Sequence, residues 1–338
     1  MTTVLESLNQ ALHGAMGADE SVYLLGEDML DPYGGAFKVS KGLSTAYPER
    51  VLTTPVSEAG MVGIAGGMAL RGLRPVVEIM FGDFTTLIAD QLINSISKFR
   101  WMYNDQVTVP LVVRTPMGGR RGYGPTHSQT MEKYFLGAPG LKVVAPCALG
   151  NPGELLKQVI LEENDPVLFV ENKLLYLQKV MDEAALAEFE STEYLVPGEY
   201  PSYELTVRGA PPPVITIAAY GYMAELAREA AQQLAFEHEI FVQILIPTQL
   251  SFEDNLFIEE ILLPNLERSQ RLLTVEEGTL SMGWGAEVIT RASHALGPKL
   301  QKVGRVAAAE IPIPASVPME RAMLPQVEDI VAAARSMV

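Results

Sequence analysis

The most informative stretch is TTPVSEAGMVGIAGGMALRG, residues 53–72. Ser57 is placed to cap a helix, which puts Glu58 in its first turn. Ala59, Gly60, Gly63, Ala65, Gly66, Gly67 and Ala69 fill that helix. Each glycine costs an isolated helix about 1 kcal/mol relative to alanine, so this helix is expected to pack closely against something. Glu58 is therefore a candidate for proton chemistry at a close contact. The plainer reading is a first-turn carboxylate favoured by the helix dipole. A second candidate is His127 in RGYGPTHSQT, a glycine-rich loop whose backbone can present a side chain. An imidazole that ionises near neutrality suits proton transfer, although a lone loop histidine also reads as merely exposed. A third is Phe84 in EIMFGDFTT. It follows an apolar run where a ring could stack on a flat cofactor, or simply fill a core.

Several chemistries lack their residues. No Gly-x-Gly-x-x-Gly opens a helix and no Gly-x-x-x-x-Gly-Lys-Ser/Thr occurs, so dinucleotide and phosphate-loop sites are unsupported. Four histidines and one cysteine form no spaced metal set. The lone Cys147 follows an apolar run without a basic neighbour and reads as inert packing.

The elements that must position these residues alternate between strand and helix. SVYLLGED, RPVVEIM, VPLVVRTP, LKVVAP and PVLFVEN read as strands. Their apolar runs are continuous, as in strands buried on both faces. Helices are expected at the N-terminus (Val4, Leu5, Leu8, Leu12, Ala15), over FTTLIADQLINSISKF with Asp83 as cap, and from Asn151 and Pro152 onward. A parallel sheet with helices on both faces follows. The pattern lapses from about residue 176 and ends in three prolines at 211–213, which reads as an interdomain crossover. A second alternating unit then offers strands at VITIAAYG, FVQILIP, RLLTVEEG and GRVAAAE. Its helices should start near Met223, Phe252, Trp284 and Gln326. The fold class is thus α/β, with two doubly wound parallel-sheet domains. The expected division is residues 1–190, a linker at 191–213, and residues 214–338. In such sheets ligands gather at the carboxyl ends of the strands.

The chain has 338 residues, enough for two domain cores. A net charge of −16 argues against nucleic acid, whose phosphates reward lysine and arginine clusters. No apolar stretch reaches the roughly 18 residues of a membrane span. The N-terminus lacks the basic start and apolar core of a signal peptide. With a single cysteine, a reducing compartment is expected, and the cytosol is the default.

The ordered series LLGED, GGAFKVSKGL, TTPVSEAGMVGIAGGMALRGLRPVVEIMF, DQLINSISKFR, HSQ, APGLKVVAP, NDPVLFVENKLLY, TVEEG, GWGAEV and IPIPAS…LPQVEDIV runs essentially end to end. It resembles the beta subunits of the thiamine-diphosphate-dependent decarboxylating components of 2-oxo acid dehydrogenases, within the transketolase group. The pyruvate, branched-chain and acetoin enzymes belong there, pyruvate being the first expectation. The resemblance implies a pyrimidine-binding domain followed by a transketolase C-terminal-like domain. It also implies oxidative decarboxylation with reductive acylation of a lipoyl group. Glu58 looks like the glutamate on the cofactor's aminopyrimidine. A proton shared there favours the imino form that removes the thiazolium proton, and the cofactor then acts as electron sink. Phe84, Val56 and Met80 match walls of the pyrimidine pocket, and Glu27 an acidic residue near the cofactor. His127 matches the active-site histidine, which either orients substrate or passes a proton to the lipoyl group.

The family also carries a structural potassium site in this subunit, and Leu111, Ile160, Leu161, Glu163 and Asp165 fall at matching positions. Asp165 stands where asparagine is usual. The diphosphate and its magnesium need a Gly-Asp-Gly and a later asparagine, and no Gly-Asp-Gly occurs in this chain. In the family an alpha subunit supplies them within an alpha2-beta2 heterotetramer, which docks on a dihydrolipoyl acyltransferase. The adjacent Arg120 and Arg121 depart from the pattern. They read as a solvated loop pair, or as a contact for a substrate carboxylate or an acidic lipoyl domain. Two other readings compete: a split transketolase-type enzyme without a lipoyl partner, and a non-catalytic assembly subunit.

Overall fold

A computed structural model describes residues 2–182, 184–253 and 256–338. Among the described residues, twelve strands form two six-stranded sheets. The first holds β1 (Val22–Gly26), β2 (Val51–Thr53), β3 (Arg74–Glu78), β4 (Val112–Met117), β5 (Lys142–Val144) and β6 (Val167–Asn172). Their order is β2-β1-β3-β4-β6-β5, and every pairing is parallel. The second holds β7 (Phe189–Tyr194), β8 (Ser202–Val207), β9 (Ile215–Ala219), β10 (Val242–Pro247), β11 (Arg271–Thr279) and β12 (Lys302–Ala308), in the order β12-β11-β9-β10-β8-β7. Here β7 and β8 run antiparallel to their neighbours and the rest are parallel. The predicted α/β class with two parallel-rich sheets is what the chain forms.

The apolar runs explain the sheets. All six residues of β4 and of β10, and all five of β9, are buried. A strand covered on both faces cannot alternate polar and apolar positions. The first helix spans Val4–Ala18 with a reciprocal cap between Thr3 and Glu6. The helix Pro152–Glu162 starts as expected, its two leading free amides accepted by the Asn151 carboxamide oxygen. Cys147 is buried, and burial pushes its thiol up to about 12, so it stays protonated and inert. Among the described residues no helix is long and apolar enough to cross a membrane.

Three expectations change. The segment 191–213, read as a crossover, carries most of β7 and all of β8, a hairpin added to the edge of the second sheet. Four consecutive residues of β7 are exposed, so it shows none of the apolar signal of a central strand. The stretch from Gly82 to Met102 is not one regular helix. It winds as a 3-10 turn, a π turn, another 3-10 turn and one α turn. Thr85 and Thr86 hydroxyls donate to the carbonyls of Gly82 and Asp83, offering the backbone an alternative to the α ladder. Asp83 does not cap it either; its carboxylate faces another loop. The helix expected from Phe252 begins at Phe257 among the described residues, and residues 254 and 255 lie outside them.

Candidate active site

The parallel order puts the carboxyl ends of β1, β2, β3, β4 and β6 along one edge of the first sheet, and the candidate residues follow those ends. Glu27 follows β1. Glu58 opens the helix Glu58–Leu70 that follows β2. Ser57 holds the cap position of that helix but makes no side-chain cap bond, a correction to its expected role. Both residues are largely buried, at 7% and 8% exposure. Burial, and then the neighbouring Glu58 and Asp28 charges, raise the Glu27 carboxyl above its ordinary value, against the Ser57 amide. Glu27 Oε1 is buried without a partner. Glu58 has no hydrogen bond within the described residues. A carboxyl so placed is a waiting donor or acceptor.

A ring cluster forms from the ends of β3 and β4. His127 lies edge-on to Phe81 at 4.7 Å and to Phe84 at 5.3 Å between ring centroids. Thr126 Oγ1 is 3.0 Å from His127 Nδ1. Lys173, just past β6, is fully buried beneath this cluster. Its ammonium donates to the His127 carbonyl oxygen at 2.5 Å and lies 5.2 Å from the Phe81 ring and 5.4 Å from that of Tyr123. Burial pulls it down to about 8, against the nearby Asp83 and Glu277 charges. Asp83 accepts from the Gln129 amide and side chain at 3.3 and 2.8 Å. The loop after β4 is therefore tied at His127 and two residues beyond it.

The structure thus joins Glu27 with Glu58, and Phe84 with His127. Met80 is half-buried at the end of β3, next to Phe81. Val56 is 80% exposed and faces away from the chain. On the helix Glu58–Leu70 the side chains of Met61, Val62, Ala65 and Ala69 face the core, and Gly66 receives Ile96. The opposite face is bare: Ile64 is 64% exposed, and nothing lies within 4 Å of a side chain built at Gly63 or Gly67. At Gly63 and Gly67 the close contact that a glycine-rich helix demands is not met among the described residues.

Comparison with known proteins decides what this arrangement belongs to. Residues 1–178 match the transketolase pyrimidine binding domain, and residues 208–330 the transketolase C-terminal domain. A rice protein, pyruvate dehydrogenase E1 component subunit beta-2, mitochondrial, is 38% identical over 335 residues, covering 98% of this chain and 85% of its own. The mouse E1 component subunit beta, also mitochondrial, is 34% identical over 342 residues, with 98% and 89% covered. The chain belongs to the pyruvate dehydrogenase E1 beta-subunit family. Among solved structures, one titled split gene transketolase, inactive beta4 tetramer, superposes with a TM-score of 0.73 over 99% of this chain and 98% of that one. At 19% identity it speaks for the fold alone. The cytosolic placement expected from the sequence is corrected by these relatives, whose names place them in mitochondria.

Several of the positions matched to a potassium site have partners within the chain. Arg74 donates to the Ile160 and Glu163 carbonyls at 3.0 and 2.8 Å and to Asn164 Oδ1 at 3.0 Å. The Leu111 carbonyl accepts from the Val167 amide at 2.9 Å. Lys142 pairs with the Glu163 carboxylate and Arg100 with Asp165, both at 2.6 Å. Leu161 lies in the last turn of the helix Pro152–Glu162. A guanidinium therefore already answers the negative end of that helix. No group of three histidine, cysteine or carboxylate side chains that could hold a metal occurs among the described residues. The Arg74 and Val167 contacts engage the Ile160, Glu163 and Leu111 carbonyls, and no role is derived for a potassium ion.

Three features of this E1 beta-type site escape a reading of the sequence. Phe81 makes the shorter ring contact to His127, yet one apolar residue among several after a strand carries no mark. Lys173 had a faint signal, a lysine just after the strand whose apolar run Val167–Val170 ends in Glu171 and Asn172. Arg114 in β4 is 1% exposed and bridges Glu78 and Glu171. Its Nε and Nη2 reach both Glu171 oxygens at 2.8 and 2.6 Å, Tyr176 and Ser40 supply further donors to the two carboxylates, and Glu78 closes the other side. This cluster braces β3, β4 and β6 below the candidate residues.

Proposed function

We propose that this chain is the beta subunit of a thiamine-diphosphate-dependent 2-oxo acid dehydrogenase, with pyruvate as substrate, and that it supplies the pyrimidine half of a site shared with an alpha subunit. The observation that carries the reading is Glu58: buried, in a first turn, beside Glu27, and with no hydrogen bond of its own. Its carboxyl group would hold a proton toward a ring nitrogen of the pyrimidine. Glu27 would keep that pocket from accumulating two full charges. Phe84 and Met80 would wall the ring, and Val56 would complete the wall from the chain's surface. His127, held edge-on by Phe81 and Phe84, would orient the substrate or move a proton at its free ring nitrogen. The cofactor supplies the electron sink that decarboxylation requires.

The other half of the site has no counterpart here. Magnesium takes oxygen ligands together with the substrate or cofactor phosphates, and this chain has no Gly-Asp-Gly. The alpha subunit would hold both, packing its backbone on the bare glycine face of the helix Glu58–Leu70. Isothermal titration of the purified chain with thiamine diphosphate and magnesium should show little binding until the alpha subunit is added. Tight one-to-one binding by this chain alone would sink the shared-site reading.

The same reading expects an alpha2-beta2 heterotetramer, with a dihydrolipoyl acyltransferase as the partner that accepts the acyl group. Light scattering of the co-expressed pair should return the mass of two alpha and two beta chains. A stable complex of one of each would contradict it. An assay of the reconstituted complex across pyruvate, branched-chain 2-oxo acids and acetoin tests the substrate, and faster turnover of either alternative would displace pyruvate.

A further inference from the structure

The loop that carries His127 begins with an unusual backbone. φ is +94° at Gly118, +68° at Arg120 and +69° at Gly122. Left-handed residues alternating with ordinary ones turn neighbouring amides toward one side and make a concavity that attracts anions. Two carboxylates fill it, and both come from the second half of the chain. Glu277, in β11, accepts from the Gly119 amide at 2.6 Å and from Asn172 Nδ2 at 3.1 Å. Glu320, in the short helix Val317–Met323, accepts from the Arg120 amide at 2.7 Å and the Gly122 amide at 3.0 Å, one on each oxygen. Glu320 is 1% exposed. A buried carboxylate must be repaid in hydrogen bonds, and bonds from amides to a charged acceptor are the strong kind.

Arg120 binds on its own account. Its Nη2 donates to the Pro325 carbonyl at 2.6 Å, and its guanidinium lies 5.7 Å from the centre of the Tyr222 ring. The arginine expected to be half of a solvated pair is thus a strut between the two halves of the chain. Gly119 leaves no room for slack, since a side chain there would meet Leu324 at 2.6 Å.

We propose that Glu320 is a positioning residue for His127: by capturing the Arg120 and Gly122 amides it sets, from the C-terminal half, where the histidine loop stands. The inference rests on His127 being an active-site residue. Glu320 touches no reacting atom and acts only through the loop. The first half of the chain then carries the site residues and the second half fixes the register of one of them.

The test has two arms. In the reconstituted alpha–beta complex, Glu320→Gln keeps the volume but turns one oxygen into a donor facing an amide. Turnover should fall on the order of 100-fold, the size expected when a group is displaced by about 1 Å. In a His127→Ala background the same change should cost less than about twofold more, because residues acting through one another do not add. An equal loss in both backgrounds, or no loss in either, overturns the proposal. The second arm uses the free chain and needs no activity. Amide hydrogen exchange across residues 119–127 should speed up by about tenfold or more, while the helix Glu58–Leu70 keeps its protection. Unchanged loop exchange overturns the proposal whatever the activity. Wild-type complex that turns over no 2-oxo acid would instead defeat the functional reading and leave this arm standing. If Glu320→Gln does not fold, Glu320→Asp, one methylene shorter and able to reach only one amide, is read the same way.

Discussion

Glu58→Gln should slow exchange of the cofactor's thiazolium proton by about 100- to 10,000-fold in the reconstituted complex, the range of a general acid–base group. The amide keeps the shape of the side chain but cannot give up or take a carboxyl proton. A plain first-turn carboxylate predicts something different: a loss of about 0.3–1 kcal/mol in stability and near-normal exchange. Glu58 is 8% exposed and has no internal hydrogen bond, so its removal breaks nothing that holds the fold. Relief of its repulsion with Glu27 should even offset part of any lost dipole term. Melting curves run alongside keep folding and chemistry apart. Exchange in the variant within roughly threefold of wild type, far below the catalytic range, would remove Glu58 from the mechanism.

Arg114→Leu should destabilise the chain by about 3–5 kcal/mol, the cost of leaving buried charge uncompensated. Arg114 is the cation between Glu78 and Glu171, which are 4% and 1% exposed, and its loss leaves two carboxylates facing each other in the interior. The natural control is the pair Arg291–Glu287 on an exposed helix face, with side chains 42% and 45% exposed. Arg291→Ala should cost only about 0.3–0.5 kcal/mol. Denaturant midpoints of the two variants, measured in the same buffer, make the comparison. A shift for Arg114→Leu no larger than for Arg291→Ala would mean that the cluster does not hold the first sheet together. Adding Glu171→Gln to Arg114→Leu should recover part of the loss, because one of the stranded charges is then gone.

Much of the architecture was legible in the residues. The apolar-rich runs that became β3, β4, β6, β9, β10 and β11 do not alternate polar with apolar residues, the pattern of strands covered on both faces. The ordered motifs led to the family, and they put Glu58, Phe84 and His127 forward as candidates, because the types of those residues and their places after strands are local facts. The missing Gly-Asp-Gly raised the expectation of a partner for the same reason. By contrast β2 is three residues long with Leu52 and Thr53 exposed, and β7 is almost all exposed, so neither leaves an apolar signature.

What only the tertiary structure decided is how distant residues meet. The irregular winding of residues 82–102 goes with an Asp83 carboxylate that binds Gln129, 46 positions away. The Arg120–Arg121 pair looked like a solvated doublet until Pro325, Tyr222 and Glu320 were brought against Arg120, the last across 200 positions. The Ile160 and Glu163 carbonyls, at two of the positions matched to a potassium site, receive Arg74 from 86 and 89 positions back. Hydrogen bonds and ion pairs between far segments have no period and no spacing. Hydrophobic burial can be read from which residues recur at which interval, whereas a buried charge finds its partner only when the whole chain has closed around it.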